Sequence, residues 1–146
     1  MTETQLSAVE DLFGTALTPE LRTFLKIHAG SKPTVNGGIC CFDIRHSNGW
    51  KQGSFIERIV SFETILIQLD CRDYLNEFVV DFGLTSDYVE TDYLFPVAEL
   101  PNGAVLLAVS GKHAGKVYTA DNGDFGILLH SESLAAFWAS VYKWQS

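Results

Sequence analysis

The side chains that could do chemistry are densest in the segment GKHAGKVY at 111–118, which holds two glycines, two lysines and a histidine. A phosphate-binding loop of the G-x-x-x-x-G-K-[ST] kind needs four residues between its glycines and a hydroxyl after its lysine. Here three residues separate Gly111 from Gly115, and Val117 follows Lys116. Such a loop also leads from a strand into a helix, whereas both flanking segments, AVLLAVS and KVYTAD, are typical of strands. The segment is therefore predicted to be a β-hairpin.

Histidine and serine patterns give no catalytic constellation. No two histidines lie four residues apart on a predicted helix, so the H-E-x-x-H zinc motif is absent. The G-x-S-x-G nucleophile elbow is absent as well. Each histidine is predicted to be structural or solvent-facing; the four are His28, His46, His113 and His130.

The three cysteines, Cys40, Cys41 and Cys71, form neither a C-x-x-C pair nor a cluster with metal-binding spacing. Neighbouring cysteines rarely bridge and the number is odd, so we expect reduced, buried thiols. A Cys–His nucleophile pair that meets only in the folded chain remains an alternative. The sequence therefore predicts no metal ion and no cofactor, and it gives no positive indication of enzymatic activity.

Acidic side chains are concentrated in one part of the chain. The net charge is −8, and the segment 61–100 holds nine acidic side chains against one basic side chain, Arg72. Direct nucleic-acid binding needs a basic surface, so this balance argues against it and is compatible with a basic protein partner. The N-terminal segment is not typical of a signal peptide, and no apolar run approaches the ~20 residues of a membrane span. We expect a cytoplasmic protein with one domain over 1–146.

Helical periodicity is clearest near the N-terminus. A first short helix is predicted over TQLSAVEDLFG and a second one over LTPELRTFLKIHAG. In the second, Thr18 is the expected N-cap, Pro19 takes the first helical position, and Gly30 ends the helix. Its core-facing positions repeat at helical spacing and are Leu21, Phe24, Leu25 and His28.

Two apolar helical faces in 61–82 point in different directions. The first comprises Phe62, Ile65, Leu66 and Leu69, and the second comprises Leu75, Phe78, Val79 and Phe82. At about 100° per residue the faces lie roughly 140° apart, so one straight helix cannot bury both. We predict a break or sharp bend between Asp70 and Asp73, one of which caps the second piece. On that piece Asp73, Glu77 and Asp81 form a solvent-facing acidic stripe.

Strand signals dominate the second half of the chain. Two hairpins are predicted, one turning at Pro101-Asn102-Gly103 and one at Asn122-Gly123. An earlier short buried strand is predicted over GGICCFDI (37–44), followed by a turn in RHSNGW. The chain closes with a helix in SESLAAFWASVYKW that is capped by Ser131 or Ser133. Its apolar stripe is Leu134, Phe137, Trp138 and Val141. Together these elements predict an α+β fold, an antiparallel meander packed with N-terminal and C-terminal helices.

The order of these motifs resembles the SMI1/KNR4 family, also called the SUKH superfamily. The second helix is similar to the family's opening helix, although His28-Ala29 stands where an asparagine is usual before the glycine. The resemblance covers nearly the whole chain in order, except for 61–92. The matching positions are Pro19, Phe24, Leu25 and Gly30, then Phe95, Pro96, Ala98 and Gly103, then Gly115, Val117 and Tyr118, and finally Ser133, Leu134 and Phe137.

The resemblance implies an α+β fold without enzymatic activity. Bacterial members commonly act as immunity proteins that bind and neutralise a cognate toxin, often a nuclease or deaminase. Eukaryotic relatives act as regulatory interaction modules, and such a module is the second functional hypothesis for this chain. The third hypothesis is a small-molecule binder or an enzyme that uses a Cys or His pocket.

An immunity role gives the acidic segment a function, because toxins that act on nucleic acids carry basic clefts. The alternative is an acidic helix face that contacts only solvent. Monomer and homodimer both remain open, since an apolar hairpin edge could pair between copies. The residues predicted to bind the partner are Asp70, Asp73, Tyr74, Glu77, Asp81, Asp87, Tyr88, Glu90 and Asp92.

Overall fold

The computed structural model describes residues 1–46, 49–70, 94–101, 103–111, 113–121 and 126–143. Within these ranges the helices are α1 (Glu3–Phe13), α2 (Pro19–His28), α3 (Phe62–Asp70) and α4 (Leu134–Ser140). The strands are β1 (Thr34–Val35), β2 (Gly38–His46), β3 (Gly49–Phe55), β4 (Arg58–Ile59), β5 (Leu94–Leu100), β6 (Gly103–Ala108), β7 (Val117–Asp121), β8 (Gly126–Ser131) and β9 (Tyr142–Lys143). The predicted α+β class is confirmed, with two antiparallel sheets. None of the described helices is long and apolar enough to cross a membrane.

The larger sheet is an antiparallel meander with the strand order β4-β5-β6-β7-β8. The segment GKHAGKVY joins β6 to β7 as the predicted hairpin. The Gly115 N–H donates to the Ala108 carbonyl at 2.7 Å, and both Gly111 and Gly115 have positive φ. The two other predicted turns lie between paired strand ends, Leu100 with Gly103 and Asp121 with Gly126. Asn102, Asn122 and Gly123 themselves lie outside the described residues.

The strands β5 and β6 are buried on both faces of this sheet, which explains their almost unbroken apolar sequences. Along β6, Val105 and Leu107 belong to the main core, while Ala104, Leu106 and Ala108 belong to a second buried cluster. The second cluster also holds Tyr118 from β7. Successive residues of a strand point to opposite faces, so these two clusters mark the two faces of the sheet.

The smaller sheet pairs β1, β2 and β3 in that order, and β9 pairs with β2 as well. The prediction for this region was partly wrong. The strand expected over 37–44 continues to His46, and β3 begins at Gly49, so most of the expected turn RHSNGW is strand. The hairpin from β1 to β2 was not predicted, although Asn36 and Gly37 both have positive φ, as a two-residue hairpin turn requires.

The first two helices begin as predicted and are tied to each other by charge. The Thr18 hydroxyl accepts the Leu21 N–H at 3.2 Å, and Pro19 opens α2. Arg22 of α2 forms ion pairs with Glu3 and Glu10 of α1, and Lys26 pairs with Glu3. These cations lower the pKa of Glu3, Lys26 most of all through its hydrogen bond.

The later helices agree with the predictions in part. Helix α3 is described from Phe62 to Asp70, and the predicted break after Asp70 and the predicted second piece both fall outside the described residues. Of the two candidate caps for α4, Ser133 is the N-cap, since its hydroxyl accepts the Ala136 N–H at 3.0 Å. The helix is shorter than predicted, because Val141 is already extended and leads into β9. All four helices and both sheets contribute to the main core.

Candidate functional site

An apolar groove of about 290 Å³ opens between α2, α4 and β1. Phe24 and His28 line it from α2, Trp138 from α4, and Val35 from β1. Val141, the residue that follows α4, also lines it. Among the described residues that line it, none is a lysine, arginine, aspartate or glutamate. The groove therefore suits an uncharged, largely apolar group.

Aromatic rings form one side of the groove. Phe24 and His28 lie one helical turn apart, and their ring centroids are 5.0 Å apart. The Phe24 ring lies 5.5 Å from the Trp138 ring with a tilt of 33°. Trp138 packs edge-on against Phe137, at 5.7 Å and 73°, and Phe137 is fully buried in the core. Core packing thus holds the Trp138 ring at the groove.

The Trp138 indole carries a buried polar atom. Its Nε1 is shielded from solvent and has no hydrogen-bond acceptor, and no other buried side-chain nitrogen or oxygen among the described residues is left in this state. A buried donor without a partner costs on the order of 1–3 kcal/mol relative to a satisfied one. The Trp138 N–H is therefore an unsatisfied donor beneath the aromatic wall of the groove, and it is closed to solvent.

Local backbone structure sets the position of β1 and the end of α2. The Gly30 N–H is shared between the carbonyls of Ile59 and Val60, at 3.0 and 3.1 Å. The Ile59 N–H in turn donates to the Ser31 carbonyl at 2.8 Å. Gly30 has φ of +80°, a conformation that favours glycine, so it ends α2 as predicted and docks the chain on β4. The turn at Asn36-Gly37 then reverses the chain, so that β2 pairs antiparallel with β1.

Cys40 also lines the groove, and it is almost fully buried. Burial raises the pKa of the Cys40 thiol, and the neighbouring Cys41 raises it further. A catalytic cysteine needs a lowered pKa, because the thiolate is the nucleophile. Cys40 and Cys41 are buried thiols, as predicted, and Cys71 lies outside the described residues.

A second group of polar side chains connects β2, β8 and β9. The Nε2 atom of His130 lies 2.7 Å from the Asp43 carbonyl, and its Nδ1 lies 2.7 Å from the Ser131 hydroxyl. Because a carbonyl only accepts, Nε2 carries the proton and Nδ1 accepts from Ser131 in the neutral ring. Burial lowers the pKa of His130. The Tyr142 hydroxyl donates to the Asp43 carboxylate, and desolvation together with this bond raises the pKa of Tyr142 to about 12.

The polar group is part of the packing of the fold. The His130 ring meets Phe42 and Phe137 edge-on, at 5.6 and 5.0 Å, and both phenylalanines are buried. Throughout the described ranges, no three His, Cys, Asp or Glu side chains are placed to share a metal ion. His130 is thus structural, as predicted.

Comparison with models of known protein families identifies the family of the chain. The model of the SMI1 / KNR4 family (SUKH-1) matches residues 1–143. The chain belongs to this family. The matched range runs through 61–92, the segment in which the sequence motifs give no correspondence. No curated protein matches the chain.

The SMI1/KNR4 motif positions are mostly structural. Gly115 forms the β6–β7 hairpin, Gly30 ends α2, Pro19 begins α2, and Gly103 begins β6. Phe24 is the exception, because it lines the groove. Ser133 is the half-buried N-cap of α4. The remaining motif positions are buried in the sheets and helices: Leu25, Phe95, Pro96, Ala98, Val117, Tyr118, Leu134 and Phe137.

Only one of the predicted partner-binding residues of this SMI1/KNR4 chain lies within the described structure. Asp70 is the last residue of α3. The other eight lie outside the described residues, and they are Asp73, Tyr74, Glu77, Asp81, Asp87, Tyr88, Glu90 and Asp92.

The sequence interpretation missed the groove. Trp138 and Val141 were assigned to a core-facing stripe, and Pro33 and Val35 were not assigned at all, yet all four line the groove. The Asn36-Gly37 dipeptide was the sequence signal for this wall of the groove, because it predicts a hairpin in which β1 and β2 pair. An apolar stripe alone does not distinguish a buried face from the wall of a groove.

Proposed function

We propose that the chain is a non-enzymatic protein-binding domain of the immunity type, which binds and neutralises a cognate bacterial toxin. The observation that carries the proposal is the match to the SMI1/KNR4 (SUKH-1) family over residues 1–143. A nuclease or deaminase is the expected class of toxin. A protein of this kind acts in the cytoplasm and needs no cofactor.

The chemical properties of the described side chains support a binding role over a catalytic one. The groove is apolar, and the cysteine that lines it has a raised pKa, opposite to that of an activated nucleophile. The histidine with the clearest contacts, His130, packs between two core phenylalanines. These features fit a surface that holds a partner.

The charge distribution supports a basic partner. Nine of the eighteen acidic side chains fall within 61–100. Charge complementarity of this kind mainly raises the association rate and the specificity, and salt weakens it. Asp73, Glu77 and Asp81 are the residues we expect to contact a basic toxin surface.

The second candidate is a regulatory interaction module of the SMI1/KNR4 type, as in the eukaryotic members. The family match favours it equally, because both roles require a protein partner. The acidic segment favours the toxin role. The two candidates differ in the partner, which an experiment can identify.

The test begins with the tagged chain as bait in its native host and mass spectrometry of the bound proteins. We expect a large polypeptide with a basic C-terminal domain. That domain, expressed alone, should stop growth of a host cell, and co-expression of the chain should restore it. Recovery of metabolic or envelope proteins instead would favour the regulatory module.

A charge-reversal variant tests the acidic surface within the same assay. Changing Asp73, Glu77 and Asp81 to lysine should remove the rescue and leave the circular dichroism spectrum unchanged. The matched control makes the same charge change at three exposed acids, Asp11, Glu20 and Glu57, and should keep the rescue. If both triple variants rescue equally, the acidic segment does not bind the toxin.

A further inference from the structure

We draw no further inference here: the strongest candidate, the apolar groove between α2, α4 and β1, carries none because nothing in the described structure shows what occupies it.

Discussion

His130 should act as a pH-dependent element of stability, because its neutral ring is built into the packing between the two sheets. Nε2–H donates to the Asp43 carbonyl, and the ring packs against Phe42 and Phe137. Changing His130 to phenylalanine keeps a ring of similar shape and removes the donor. The Asp43 carbonyl then loses its bond, which costs about 1–3 kcal/mol at pH 7.5, where the wild-type ring is neutral.

The sign of the pH effect follows from the direction of the pKa shift. Burial lowers the pKa of His130 in the folded chain, so the unfolded chain binds the proton more readily. The stability that the neutral ring contributes is therefore full above the ordinary pKa of about 6.5 and declines as the pH falls towards the folded pKa. The decline cannot exceed about 1.4 kcal/mol per pH unit for one proton. The Asp43 carboxylate near the ring opposes the shift but does not reverse it.

Urea unfolding at pH 7.5, 6.5 and 5.5 measures this effect as the difference in free energy of unfolding between the wild type and His130→Phe. The difference should be largest at pH 7.5 and should shrink by up to about 1.4 kcal/mol at pH 5.5. Effects of the other histidines are common to both proteins and cancel. A difference that stays constant, or grows on acidification, would refute the reasoning, because it would mean that the folded chain does not disfavour the protonated ring.

Three further predictions test the local structure. Tyr142 should ionise near pH 12 by absorbance, and between pH 10 and 12 the wild type should lose on the order of 1 kcal/mol relative to Tyr142→Phe, since solvent screens part of the effect at this partly exposed side chain. Thr18→Ala should lower the free energy of unfolding by about 1 kcal/mol, because α2 loses its N-cap; Thr23→Ala, at an exposed helix-interior position, is the control. Gly115→Ala should cost about 1 kcal/mol in urea unfolding, because its φ of +91° strains any side chain; an unchanged midpoint would contradict the hairpin geometry.

Features fixed by neighbouring residues were predictable from the sequence. The cap at Thr18 with Pro19 defines the start of α2, and the glycines of GKHAGKVY define the β6–β7 hairpin. The continuous apolar run of β6 reflects a strand buried on both faces. In each case a physical requirement acts over a few residues, so a short pattern contains it.

Features that depend on distant contacts were not predictable in the same way. The apolar spacing from Leu134 to Val141 suits a longer helix, yet the chain leaves the helix at Val141 because Tyr142 and Lys143 pair with β2. That pairing joins residues about a hundred positions apart, which no local pattern reveals. The groove has the same origin, since Phe24, Val35 and Trp138 meet only after the sheet and helices have packed.

The measurement that tests the immunity role most directly is the activity of the purified toxin domain during titration with the purified chain. The account predicts that activity falls in proportion to the added chain and is abolished near one chain per toxin. Raising the salt concentration should slow association of the two proteins, because the acidic chain attracts a basic toxin surface. A stable complex in which the toxin keeps its full activity would contradict neutralisation and leave a protein-binding module with another role.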